Sequence, residues 1–135
     1  MKPISLKLWE ECNMKLPIRT YIPIENEDDF ESMSYLEKWF EENRELVHMA
    51  SLEACWLFVK NVGLAGITVF EIYEKPQDPD QQSDLLAFID ISLEDATKNL
   101  DETEAYFVSI ENYESAASAV ECRRQIETLI KKDYE

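Results

Sequence analysis

Two runs rich in β-branched and aromatic residues, GITVFEIYE (66–74) and LLAFIDIS (85–92), flank KPQDPDQQSD, in which two prolines stand among wholly polar side chains. β-Branched and aromatic side chains suit a pleated surface, and Pro, Asp and Ser interrupt it, so this spacing predicts two antiparallel strands joined by an exposed loop. On a two-residue alternation Ile67 and Val69 oppose Phe70 and Ile72, which makes the first run apolar on both faces. AYFVSI (105–110) has the same two-sided pattern and is expected to be a further strand. Such a sheet needs cover on both sides. The expectation is an α+β fold, a single-layer mixed or antiparallel sheet of about four or five strands packed against several helices.

Alternation of Ile4, Leu6 and Leu8 suggests a short first strand, and LPIRTYIPI (16–24) suggests another. Pro17 and Pro23 are six residues apart, so both missing N–H groups fall on one side of that strand, which belongs at a sheet edge. Helix starts are signalled by Asn26 before Glu27, Asp28 and Asp29, and by Ser34 with Glu37 three residues on. Phe30, Met33, Leu36, Phe40 and Val47, then Leu52, Cys55, Trp56 and Val59, continue helical spacing up to a stop at Gly63. Ser92 with Asp95 opens a short helix to about Asn99. Asn112 caps a final helix whose core stripe is Ala116, Ala119, Cys122, Ile126, Leu129 and Ile130. Trp39, Phe40, Trp56 and Phe58 are expected in the core, Trp9 and Tyr21 at the surface.

No repeat, low-complexity tract or Gly/Ser linker divides the 135 residues, which are expected to form a single acidic α+β domain over 1–135. The only glycines are Gly63 and Gly66, which excludes phosphate-cradling and dinucleotide-binding loops built on several glycines at fixed spacing. Three widely spaced cysteines, Cys12, Cys55 and Cys122, fit a reducing compartment. MKPISLKLWEEC lacks the apolar stretch of a signal peptide and no apolar run approaches a membrane span, so a cytoplasmic protein is expected.

The inventory for catalysis is poor, and no enzymatic activity and no cofactor are expected. His48 is the sole histidine and no C-x-x-C pair occurs. His48 and Cys55 share a helix face, but two turns place them about 10 Å apart, beyond reach of a thiol and its base. Asp90 interrupts an apolar strand beside Leu86 and Phe88, the one place where a carboxylate invites a functional reading; a solvent-facing acid is the plainer one. Asp78, Asp80 and Asp84 alternate in a loop without the glycine and terminal glutamate of an EF-hand, so no metal site is expected.

Charge is the strongest remaining signal. Acids number 29 against 13 bases, a net −16, concentrated in residues 25–45 (net −7) and 71–104 (net −9). Such a field repels nucleic acid and anionic membrane and speeds encounter with basic surfaces. Glu37, Glu41 and Glu45 repeat at i, i+4, where like charges destabilise a helix by a few tenths of a kcal/mol per pair, a cost that solubility alone does not demand. A helix over 27–45 would carry one net charge per roughly 5 Å, about a third of the density of duplex DNA. That deficit favours plugging a groove over imitating a duplex.

In physical type the chain is similar to small bacterial immunity proteins. The expected function is inhibitory binding to a basic protein, a nuclease-type toxin whose substrate groove is covered, with no direct contact to nucleic acid or membrane. The alternatives are a DNA-mimic inhibitor of the anti-restriction or anti-CRISPR kind, or an acidic domain without a charge-based partner. The expected contact residues are Glu37, Glu41, Glu42 and Glu45, or Asp78, Asp80, Asp84, Asp90, Glu94 and Asp95.

Overall fold

A computed structural model describes residues 15–22, 34–75, 78, 80 and 82–133; the strand expected at Ile4–Leu8, the helix start at Asn26, and Trp9 and Cys12 lie outside them. The elements are β1 (Ile18–Ile22), α1 (Ser34–Glu42), α2 (Arg44–Lys60), β2 (Gly66–Glu74), β3 (Leu85–Ser92), α3 (Leu93–Ser109) and α4 (Tyr113–Asp133). The fold is α+β with a mixed sheet, ordered β1-β2-β3, in which β1 runs parallel to β2 and β2 antiparallel to β3. Among the described residues β1 is an edge strand, as its flanking prolines predict. Both hairpin strands have the limits read from the sequence.

Three of the about four or five expected strands lie among the described residues; the strand expected at Ile4–Leu8 lies outside them, and the one expected at 105–110 is corrected, because residues 105–109 belong to α3. Ala96, Leu100, Thr103 and Phe107 recur at intervals of four, three and four and are buried, whereas Val108 and Ile110 are exposed. Local β propensity in AYFVS yields to this stripe, in a helix that packs on both α2 and α4, with Thr103 and Phe107 against His48 of α2. The helix runs ten residues past Asn99. Ser92 caps it: the Asp95 N–H donates to Ser92 Oγ at 3.2 Å, and that hydroxyl donates to Asp95 Oδ2 at 3.0 Å. Glu111 turns the chain with φ of 61°, and Asn112 Oδ1 accepts from the Ser115 N–H at 3.2 Å to start α4, as expected.

A second departure concerns the faces of the sheet. Pairing passes from Thr68↔Asp90 to Phe70↔Ile89, so Val69 is an extra residue in β2, and a β-bulge reverses the alternation there. Val69 and Phe70 are consequently both buried. Paired residues share a face, so Ile67, Phe70 and Ile72 look inward with Ile91, Ile89 and Ala87, joined from β1 by Ile18. The other face carries Arg19, Tyr21, Thr68, Glu71, Tyr73, Phe88 and Asp90. A strand that reads as apolar on both faces thus has one apolar face and one mixed face.

α2 lies between the inward sheet face and the α3–α4 pair, packing against β2, α3 and α4. Its segment holds one acid and one base over residues 46–70, and Ala50, Leu52, Ala54, Cys55, Trp56 and Phe58 are buried around its circumference. A helix apolar all round is the kind that a core encloses. Trp56 Nε1 donates to Ser118 Oγ at 2.9 Å, tying α2 to α4. α1 is joined to α2 through a break at Asn43, and Trp39 meets Phe70 edge-on at 5.5 Å. Of the aromatic residues expected in the core, Trp56 and Phe58 are buried and Trp39 and Phe40 half-buried against it. Gly63, after α2, has φ of 106°, a conformation that costs little only without a Cβ.

Candidate functional site

All ten carboxylates expected at a contact surface are exposed. They form three groups. Glu37, Glu41 and Glu42 lie on α1 and Glu45 in the first turn of α2. The break at Asn43, where φ is −120°, interrupts the i, i+4 ladder between Glu41 and Glu45, so the long helix expected across 27–45 is not continuous. Asp78, Asp80 and Asp84 lie in the β2–β3 loop. Asp90 sits on β3, and Glu94 and Asp95 open α3. Asp90 stands six residues beyond Asp84 along β3, roughly 20 Å at about 3.3 Å per residue, and Glu94 and Asp95 lie past the strand's far end, so the hairpin acids are not one surface.

Two of these acids already have local work. Asp78 Oδ1 accepts from the Asp80 N–H at 3.2 Å, holding the loop turn, and Asp95 belongs to the α3 cap. Glu37 and Glu41, but not Glu42 or Glu45, line an open concavity of about 610 Å³ together with Lys38, Phe40, Arg44, Val47 and His48. Two carboxylates face two cations in that lining, so its charge is balanced. His48 Nδ1 lies 3.2 Å from Thr103 Oγ1, and its ring stacks on Tyr106 at 4.4 Å, with the Arg44 guanidinium 5.5 Å from the same Tyr106 ring. Burial, then Arg44, lowers the His48 pKa, with Glu102 acting in opposition, so the imidazole is neutral at pH 7.

The outward sheet face was only partly legible in the sequence. Tyr21 and Tyr73 stack at 5.6 Å and 27°. Tyr73 Oη donates to Glu71 Oε2 at 3.1 Å, and Arg19 Nε lies 3.5 Å from Glu71 Oε1. Phe88, opposite Glu71 in the register, is 61% exposed, Tyr21 52% and Leu85 49%. Tyr21 was expected at the surface from its strand position. Phe88 and Tyr73 were missed because the bulge at Val69 hides which residues share their face.

Asp90, the acid that the apolar strand singles out, is exposed. Among the described residues the buried acid is Glu53, 3% exposed, whose Oε2 has no hydrogen-bond partner among them. Burial raises its pKa to about 7 against an opposing influence from Lys60. Its position as the only acid in residues 46–70 was the available signal. Cys55 and Cys122 are buried free thiols; burial pushes Cys55 up to about 12 and raises Cys122 as well. Neither is a ready nucleophile at neutral pH.

Among the described residues no three His, Cys, Asp or Glu side chains are grouped to hold a metal ion, and no helix is long and apolar enough to cross a membrane. Comparison with known protein families, characterised proteins and solved structures finds no match to this chain.

Proposed function

We propose that this protein is an acidic inhibitory binding protein of the cytoplasm, a bacterial immunity protein that neutralises a basic nuclease-type toxin by covering its substrate groove, without catalysis of its own. The observation that carries the reading is an imbalance at the surface. Arg19, Arg123 and Arg124 are engaged with carboxylates of this same chain, Arg44 lies on the Tyr106 ring, and the ten exposed acids named above remain outward. A net −16 field of this kind accelerates association with a cationic surface and disfavours nucleic acid. Separate acidic groups, with the α1 ridge broken at Asn43, support covering a local cationic groove over imitating a continuous duplex.

The experiment is titration calorimetry against the basic protein encoded beside this chain's gene, paired with a nuclease assay. A one-to-one complex with nanomolar Kd that weakens at least tenfold from low to high salt and abolishes cleavage is the expected result. Absence of any complex, or a complex indifferent to salt that leaves cleavage intact, overturns it.

A further inference from the structure

The outward sheet face is an aromatic patch with carboxylates set into it. Phe88 is its most exposed member, the Tyr21–Tyr73 stack lies across the sheet, and Asp90 stands two residues from Phe88 on the same strand face, a separation of about 6.6 Å. The face already contains one worked example of the chemistry it suits. Arg19 reaches Glu71, which also accepts from Tyr73, so a guanidinium, a carboxylate and aromatic rings meet on β1 and β2. On β3 the juxtaposition of ring and carboxylate is repeated by Phe88 and Asp90, and Asp90 has no ion pair among the described residues.

We propose that this outward face is the docking surface for the basic partner, and that it takes an arginine side chain of that protein laid on the Phe88 ring and paired with Asp90. The inference rests on the basic-partner reading and deepens it by naming the surface and the recognised group. Arginine is the fitting cation because its planar guanidinium both stacks on a ring and pairs with a carboxylate, whereas lysine's ammonium is more strongly hydrated. Aromatic rings amid carboxylates form the centre of an interface, while the α1–α2 concavity balances its own charges and offers a cation little net attraction. Open sheets with exposed aromatics also stack nucleic-acid bases, but that mode needs a basic groove along the phosphates, and this face presents Glu71 and Asp90. A second copy of the chain would bring two −16 bodies together.

The test uses the full-length, isotope-labelled chain and three probes: decaarginine, decalysine and a ten-residue oligothymidylate, followed by amide chemical shifts at low salt. Decaarginine is expected to move Tyr21, Glu71, Tyr73, Phe88 and Asp90 and to bind more tightly than decalysine. Phe88→Ser and Asp90→Asn, both at exposed positions, are each expected to weaken decaarginine by about two- to fivefold, the range of an exposed cation–ring contact, while Glu41→Gln has no such effect. Shifts centred on Glu37, Glu41 and Glu45, or affinity unchanged by both β3 variants, overturn the surface and leave the basic-partner reading standing. No binding of either cationic peptide overturns both. Equivalent shifts with oligothymidylate, or a dimer in sedimentation that Phe88→Ser dissolves, assigns the face to nucleic acid or to self-association and overturns the inference.

Discussion

Glu53 is an acid buried in α2. An acid with a folded pKa raised from 4.5 to about 7 favours the fold in its neutral form. That contribution is fully present below about pH 4.5 and is lost as the pH rises through about 7, a span of about 3 kcal/mol from the shift alone. Denaturant unfolding at pH 5 and pH 8 is expected to show this loss, and Glu53→Gln is expected to flatten it and to be the more stable protein at pH 8. A wild-type stability that rises between those values would contradict the assignment. Cys55 and Cys122 make a second case at this scale. Both are expected to resist iodoacetamide in the native protein and to react fully in denaturant, measured by peptide mass spectrometry, because burial holds each as a thiol and blocks access.

At the scale of elements, α3 is the part that local residue preferences misread. Phe107 is buried and Val108 46% exposed, an asymmetry that the helix creates by aligning Phe107 with Leu100 and Thr103. Phe107→Ala is expected to cost about 3–5 kcal/mol in chemical denaturation, and Val108→Ala less than about 0.5. A strand apolar on both faces would make the two losses comparable. Ser92→Ala is expected to cost about 1 kcal/mol by removing the acceptor for the Asp95 N–H. Strand β1 and the β2–β3 hairpin were legible because proline positions and turn chemistry act locally. The bulge at Val69 was not, since an inserted residue leaves no compositional trace and is settled by the partner strand's register.

For the whole molecule, excess negative charge opposes the compact state, so thermal stability is expected to rise as sodium chloride is increased from low to physiological concentration and beyond. Calorimetric Tm values that fall with salt would point instead to surface ion pairs as the dominant electrostatic contribution. The ion pairs of Arg123 with Asp101 and Glu127, and of Arg124 with Glu121, are exposed and contribute little each. Asp90 stands in an apolar strand, whereas exposure of the candidate acids on the helices and in the loop was legible from their polar surroundings. Their division into three groups was not, because β3 holds the loop acids and the α3 acids at opposite ends of one strand.

Local chemistry by itself determined the α+β class, the hairpin limits, the edge position of β1 in the described sheet, the helix start at Asn112 and the outward direction of the charge. Each depends on interactions among near neighbours: alternation, turn residues, caps and solvation. Tertiary structure alone decided that residues 105–109 finish a helix, that Glu53 is buried, and that Tyr21, Tyr73 and Phe88 share one face. These follow from long-range packing and register, where burial against a distant element outweighs a residue's own preference.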